Sequence, residues 1–386
     1  MKKLRFGMVG GGLGAFIGEV HRHGILLNDL AEMKAGCFSR NYEKSLQTAE
    51  VWNIDPGRVY RTYREMAEAE SAREDGIDFV VIVTPNSSHY EIAACFMEHG
   101  IHVMCDKPLA ITTEQAEALQ KMAKERDIQF GVSYGYTGYP IIRQAREMIR
   151  NGAIGDIVHV RVQHPEDWVI ESVSPEQEAG AKLPWRFDPK SVGASLCTGD
   201  LGTHGEQLLV QFTGLHVKRV LAMFDTYPKY LPLETNTTVL LDLGGGIHGQ
   251  LWASQIAIGK PCSAGIYVIG SEGSLEWNHE TPSMLRYTKR NGTTEILEAG
   301  KGYTYPESSR LCYASVGHHD GFNEAFGSIY RSYCEVLLAK KENRKAKAYR
   351  FPTIDDGVDG MRFVEACVKS HTNGNVWVEV KPETIG

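Results

Sequence analysis

A glycine cluster set directly behind a short apolar strand and ahead of a helical stretch constrains this chain more than any other feature. LRFGMV (4–9) runs into VGGGLGAFIG (9–18), and the pattern turns helical over 16–28. Glycines at such a junction permit a tight turn. They also let backbone N–H groups approach a pyrophosphate, whose charge faces the positive end of a helix. Gly10 and Gly12 fit the G-x-G part of the dinucleotide fingerprint, Ala15 takes the third position, and Gly18 comes late. A tight strand–helix turn with no ligand is the plain alternative; the strand–glycine–helix–strand context favours dinucleotide binding. Gly10, Gly12, Leu13, Gly14, Ala15, Phe16 and Ile17 are the expected cofactor contacts on this loop.

The pattern continues as an alternation. Strands are expected at 4–9, 32–39, 78–84, 101–105 and 128–132, with helices near 16–28, 41–51, 62–70, 88–98 and 112–126. Continuous apolar strands, each followed by a helix, predict a parallel sheet covered on both faces. Ser39 or Asn41 opens the second helix and Thr112-Thr113-Glu114 the last, both as caps. After about 135 the rhythm changes. A helix at 139–150 leads into the alternating DIVHVRVQH, and strands follow at 217–226, 236–243, 247–256, 264–270 and 273–277. Helices are expected around 199–213, 319–338 and 354–371, then a strand at VWVEV. The fold class is α/β: a Rossmann dinucleotide-binding domain over 1–134, then an α+β domain over 135–386 on a mostly antiparallel sheet. The final helix is expected to pack back on the first domain.

Composition narrows the function classes. The chain has 386 residues, and 41 Lys and Arg against 48 Asp and Glu leave a charge of −7. That is the wrong sign for nucleic-acid binding, whose affinity rests on basic residues meeting phosphates. The densest basic run, KKENRKAK at 340–347, reads as one solvated turn. FVVIV at 79–83 is far too short to span a bilayer, and the glycines from Gly7 onward break any signal-peptide stretch. Eight cysteines without a C-x-x-C pair predict reduced thiols in a cytoplasmic protein, with neither a disulfide framework nor a bound metal.

The end of the second strand selects between nicotinamide cofactors. A carboxylate there binds the ribose 2′-hydroxyl and repels a 2′-phosphate. Here CFSRN puts Ser39 and Arg40 at that place, a hydroxyl beside a guanidinium, which tips the balance slightly to NADP with NAD as the alternative. CDKPLA (105–110) follows a strand at the carboxyl edge where open sheets bind ligands, so Lys107 is a candidate to polarise a substrate hydroxyl. GDLGTHGEQLL (199–209) sets Asp200 and His204 four apart, on one face of a helix. An imidazole titrating near neutrality suits the uptake of a hydroxyl proton; the alternatives are ligation of a metal, for which no third ligand stands nearby in the sequence, and a structural histidine.

Together the glycine loop, TPNSSH (84–89), CDKP and GDLGTH resemble the Gfo/Idh/MocA oxidoreductases, in the right order over nearly the whole chain. The resemblance implies an N-terminal Rossmann domain and a C-terminal domain with an open sheet, often used for oligomer contacts. It implies that Lys107, Asp200 and His204 are the catalytic Lys and Asp-x-x-x-His. It places Thr84, Pro85, Asn86 and His89, with Asp106 and Lys107, among the cofactor-contacting residues. The family's common Glu-Lys-Pro is Asp106-Lys107-Pro108 here, and the glycine loop carries the GAFIG extension.

GAFIG, YTGYPIIRQARE (136–147), WRFDP (185–189) and GHHDGF (317–322) further resemble the branch containing levoglucosan dehydrogenase and bacterial glycoside 3-dehydrogenases. Such enzymes oxidise a ring secondary alcohol of a pyranose to a ketone. Tyr136, Tyr139, Trp168 and Trp185 are candidates to stack on a sugar, and Arg186 and His318 to bind hydroxyls; core packing is the alternative for each aromatic. HPEDW (164–168) departs from the branch by adding charge. The expected activity is an NAD(P)-dependent dehydrogenase of a sugar, glycoside or cyclic polyol. Its rivals are a glycosidase of the same fold with an internally recycled cofactor and a non-catalytic sugar-sensing regulator. An exposed sheet face would need covering, so a homodimer or homotetramer is expected, with no nucleic-acid or membrane partner.

Overall fold

The computed structural model describes residues 3–178, 180–346 and 350–381. The chain divides into two units. The first draws on Met1–Ala110, Glu114–Gly138 and Gly321–Val358, the second on Ile111–Thr113, Tyr139–Asp320 and Asp359–Gly386.

In the first unit β1 (Leu4–Gly10), β2 (Ala31–Cys37), β3 (Phe79–Val83), β4 (His102–Cys105) and β5 (Phe130–Val132) form a sheet of order β2-β1-β3-β4-β5. Every pairing in it is parallel. FVVIV of β3 is buried along its whole length, as a central strand covered on both faces requires. The connecting helices are α1 (Phe16–Leu26), α2 (Tyr42–Trp52), α3 (Tyr63–Ser71), α4 (His89–Glu98) and α5 (Thr113–Glu125). Asn41 caps α2 by accepting from the Lys44 N–H. Thr62 and Glu65 form a capping box on α3 that satisfies two otherwise orphaned donors.

The single cut expected at 134/135 differs from this division, because the helix Phe322–Lys341 belongs to the first unit. Its apolar stripe of Phe326, Ile329, Tyr330, Tyr333 and Leu337 joins the same core as Phe6, Phe79 and Met104. Each such side chain fully buried stabilises by about 1.5–3 kcal/mol, a gain that outweighs the cost of the long return. Gly24 lets this helix approach α1 closely, since a Cβ there would lie 2.8 Å from the Phe326 Cβ. His21 of α1 meets the Tyr330 hydroxyl at 2.5 Å. The final helix, Ile354–Thr372, is shared, contributing Ile354–Val358 to the first unit. Of the basic run at 340–347, Lys347 lies outside the described residues.

The second unit opens with α6 (Pro140–Arg150) and holds nine strands among the described residues. They are β6 (Ile157–Pro165), β7 (Arg219–Asp225), β8 (Asn236–Asp242), β9 (His248–Ser254), β10 (Gly265–Gly270), β11 (Gly273–Asn278), β12 (Met284–Lys289), β13 (Thr294–Glu298) and β14 (Val378–Glu379). Their order is β13-β12-β11-β10-β6-β9-β8-β7-β14. Only β6 and β9 run parallel in this sheet, so it is mostly antiparallel, as expected. Alternating burial in β8 shows one face packed and one open. The hairpin of β12 and β13 was not anticipated: Lys289 and Glu295 stand on the face of Leu285 and Leu297 and interrupt its apolar alternation. VWVEV pairs only through Val378 and Glu379.

Candidate active-site residues

Strand order reverses at β1 and β3, where Gly10 faces Val83 in register, and open α/β sheets take ligands beyond the carboxyl ends of strands at such a point. Gly10, Gly11 and Gly14 hold φ of 78°, 69° and 84°, the left-handed region that favours glycine. A Cβ on Gly10 would lie 2.6 Å from the Val83 carbonyl oxygen, and one on Gly12 would lie 2.9 Å from Thr48 Oγ1. The most severe meeting belongs to Gly18, whose Cβ would lie 2.0 Å from the Gly11 oxygen. Gly18, late for the fingerprint, thus makes the close helix contact that its third glycine makes. Gly14 faces open space. Ala15 caps α1 with no side-chain bond, Ile17 is half-buried, and Leu13 and Phe16 are exposed. This cradle, open at Gly14 and lined by helix N–H groups, fits a dinucleotide pyrophosphate.

Around the cradle, the Ser39 hydroxyl accepts from the Asn41 N–H at 3.1 Å, and Arg40 is exposed beside it. After β3, Ser88 Oγ donates to Thr84 Oγ1 at 2.8 Å and Pro85 is exposed, with Asn86 opening the turn. His89 departs from its expected place against the cofactor. It is fully buried, with Nδ1 2.9 Å from the Pro108 carbonyl and Nε2 2.9 Å from the Thr84 carbonyl. It ties the loop after β3 to the loop after β4. Burial lowers its pKa, against the pull of Asp106.

Asp106 and Lys107 follow β4. Asp106 Oδ1 accepts from the Lys107 backbone N–H at 2.8 Å and from Ser133 Oγ at 2.7 Å, with His21 Nε2 3.8 Å away. Burial pushes this carboxyl up, but His21, Lys107 and Ser133 overcome it and hold it at about 2. The Lys107 side chain is half-buried.

In the second unit the sequence predicts one continuous helix over 199–213. The backbone instead makes a wider π turn, Thr198–Gly202, before the α-helix Thr203–Thr213. Asp200 stands on the π turn and His204 on the first α turn, a local irregularity frequent at functional sites. Asp200 Oδ2 accepts from Gln255 Nε2 at 3.0 Å, and the buried His204 ring lies 5.5 Å from that of His164. Beneath the turn, buried Glu234 accepts from Ser195 Oγ at 2.5 Å, the Thr198 N–H at 3.0 Å and the Leu196 N–H at 3.3 Å. Burial raises the Glu234 pKa against these bonds. Gln255, Glu234 and His164 were missed as parts of this site, because their partners lie far away in sequence. Only the charge of HPEDW hinted at the last.

The sugar-stacking candidates divide. Trp168, Trp185 and Arg186 come together, with the Arg186 guanidinium 5.9 Å and 5.1 Å from the two rings, and Trp185 is exposed. His318 is exposed on a loop, its Nδ1 3.1 Å from Ser315 Oγ. Tyr139 is core, 1% exposed, its ring 5.7 Å from Trp277 and its hydroxyl 3.0 Å from His279 Nε2. Tyr136 is likewise buried, against Phe322 of the first unit. An aromatic in a turn reads the same whether it faces ligand or core, and burial decides here for the core.

Residues 4–134 match the model of an oxidoreductase family with an NAD-binding Rossmann fold, and residues 142–276 match the GFO/IDH/MocA C-terminal domain. The uncharacterized oxidoreductase YfiI of Bacillus subtilis is 33% identical over 98% of both chains. Levoglucosan dehydrogenase of Pseudarthrobacter phenanthrenivorans is 26% identical, covering 74% of this chain and 76% of its own. The crystal structure of an inositol dehydrogenase homolog from Azotobacter vinelandii, complexed with NADH and myo-inositol, superposes with a TM-score of 0.90. It is 34% identical, over 98% of each chain.

Proposed function

The chain belongs to the Gfo/Idh/MocA oxidoreductase family, and on that premise we propose that it oxidises a ring secondary alcohol of a sugar, glycoside or cyclic polyol to the ketone. Its Rossmann unit is NAD-binding, and a bound nicotinamide would supply the hydride acceptor. The observation that supports the reading most is the cradle at β1 and β3, where Gly10, Gly12 and Gly18 hold space and backbone N–H groups for a pyrophosphate. Relatives named for levoglucosan and inositol supply the substrate class.

In this reading His204 takes the hydroxyl proton as hydride leaves the same carbon, so the alcohol loses two electrons and becomes a carbonyl. Lys107 donates to the reacting oxygen and stabilises the charge that develops there. Asp200, steadied by Gln255, orients His204 or a neighbouring substrate hydroxyl. Trp168, Trp185 and Arg186 are proposed to meet the sugar ring. The eight cysteines carry thiols, in keeping with a cytoplasmic setting. Among the described residues no helix is long and apolar enough to cross a membrane.

The assembly proposed is a homodimer or homotetramer. Leu240, Tyr267 and Ile296 are exposed on one cross-strand row of the nine-stranded sheet, linked through Gln250, Arg161, Glu276 and Arg286. A second copy covering this face would remove that apolar surface from water.

The test is reduction of NAD or NADP, followed by nicotinamide absorbance, against glucose, glucosides, levoglucosan and inositols. Growth with one of these establishes the dehydrogenase and settles the cofactor. Silence across the panel overturns the reading.

A further inference from the structure

Within the second unit, the carboxyl end of β6 gathers His164, whose ring lies 5.5 Å from that of His204, with two side chains to which the dehydrogenase reading assigns no role. His164 is the penultimate residue of β6 and Glu166 follows the strand, while Cys262 lies on the loop between β9 and β10. Backbone bonds hold these segments together. The Ser263 N–H donates to the Pro165 carbonyl at 3.1 Å, the Glu166 N–H to the Ser254 carbonyl at 2.6 Å, and the Ala257 N–H to the Glu166 carbonyl at 2.8 Å. The side chains therefore converge on a frame that does not depend on their own attraction.

His164 Nε2 stands 3.2 Å from Glu166 Oε1 and 4.0 Å from Cys262 Sγ, and the three donor atoms all lie within 4.8 Å of one another. A tetrahedral ion with bonds of about 2.3 Å to sulfur and about 2.0 Å to nitrogen and oxygen sets its ligands roughly 3.3–3.6 Å apart. The two edges that His164 makes, 3.2 Å to Glu166 and 4.0 Å to Cys262, differ from those by half an ångström or less, and the third edge lies within 4.8 Å. We propose that His164, Glu166 and Cys262 form a binding site for a divalent ion of the zinc class. One nitrogen, one sulfur and one oxygen make a borderline-soft set that suits zinc over magnesium or calcium. Three protein ligands also leave a fourth position for water or a substrate oxygen.

The surroundings complete the argument. His164 is 1% exposed, and Glu166 and Cys262 are partly buried, so an ion here would be shielded without being sealed off. His279 Nδ1 stands 3.5 Å from Cys262 Sγ, and the Tyr139 hydroxyl stands 3.0 Å from His279 Nε2. The His279 ring and the Tyr139 hydroxyl thus stand beside the sulfur in the manner of outer partners at metal centres.

The test uses the full chain stripped of metal and titrated with cobalt(II), a spectroscopic stand-in for zinc. The expected result is one equivalent bound, with a thiolate-to-cobalt charge-transfer band that zinc displaces. Cys262→Ser removes the band, and Glu166→Gln weakens binding by more than about tenfold. A wild-type protein that gives no such band overturns the proposal, as does the same band in Cys262→Ser. A second measurement needs no variant: zinc should slow the alkylation of Cys262 by iodoacetamide, followed by peptide mapping, and equal labelling with and without zinc overturns the site. Neither readout involves sugar oxidation, so this site and the proposed activity stand or fall separately.

Discussion

Gly18 packs directly on Gly11: a Cβ at Gly18 would lie 2.0 Å from the Gly11 carbonyl oxygen and 2.5 Å from its carbonyl carbon. No rotamer change relieves a collision between two stretches of backbone. Gly18→Ala is therefore expected to displace the loop and raise the dissociation constant for NAD at least about tenfold, or 1.4 kcal/mol. Gly14→Ala has open space and meets only the strain of a positive φ, a cost of about 1 kcal/mol. Calorimetric titration with NAD should rank Gly18→Ala well below Gly14→Ala; equal affinities would contradict the packing argument.

His89 joins two loops that leave different strands. Its ring nitrogens face the Thr84 and Pro108 carbonyls, and a neutral ring donates to one of them at a time. Replacing His89 with Leu leaves both carbonyls without that donor in a buried place, at a cost of about 2–3 kcal/mol. Urea unfolding should show the loss. NAD affinity should fall with it, because Thr84 and Lys107 stand on the loops that His89 joins.

Asp106 sets a pH dependence. Its carboxyl is held at about 2 in the folded chain against an ordinary 3.8, so the unfolded chain binds the extra proton first as pH falls. The stabilisation, about 2 kcal/mol, is present in full above pH 3.8 and is lost as pH drops through about 2. Asp106→Asn should lower the melting temperature at pH 7 and flatten the acid limb of stability against pH. A variant with an unaltered acid limb would remove Asp106 from this account.

His204→Ala should reduce turnover by about 10²–10⁴-fold, the usual worth of a positioned acid or base. NAD affinity should stay within a factor of two or so, because the cradle lies on β1 and α1. Steady-state kinetics and cofactor titration on one preparation separate the two effects. Undiminished turnover would exclude His204 as the base.

Leu240→Lys combined with Tyr267→Lys places charge on the exposed row of the nine-stranded sheet. Sedimentation should show the wild type as a dimer or tetramer and the double variant shifted toward monomer. A wild type that sediments as a monomer would remove the proposed interface.

Much of this was legible locally. The alternation of FVVIV and its neighbours with amphipathic stretches determined the parallel sheet, because strand and helix periods are written in adjacent residues. The glycine cluster behind β1 marked the cradle for the same reason. The hairpin of β12 and β13 escaped because Lys289 and Glu295 fall on the face of Leu285 and Leu297 and break the two-residue period. The π turn escaped because Asp200 and His204 are four apart in either helix form.

What the sequence determined by itself was therefore the Rossmann alternation, the glycine loop and the residue types of the proposed catalytic set. The tertiary structure alone decided that Gly321–Val358 joins the first unit, that His89 faces carbonyls, and that Tyr139 is core. It alone brought His164 to Cys262, 98 residues further on. The physical reason is common to all four. Periodicity and turn chemistry act over a few residues, whereas burial and side-chain pairing depend on which distant segments the packed core brings together.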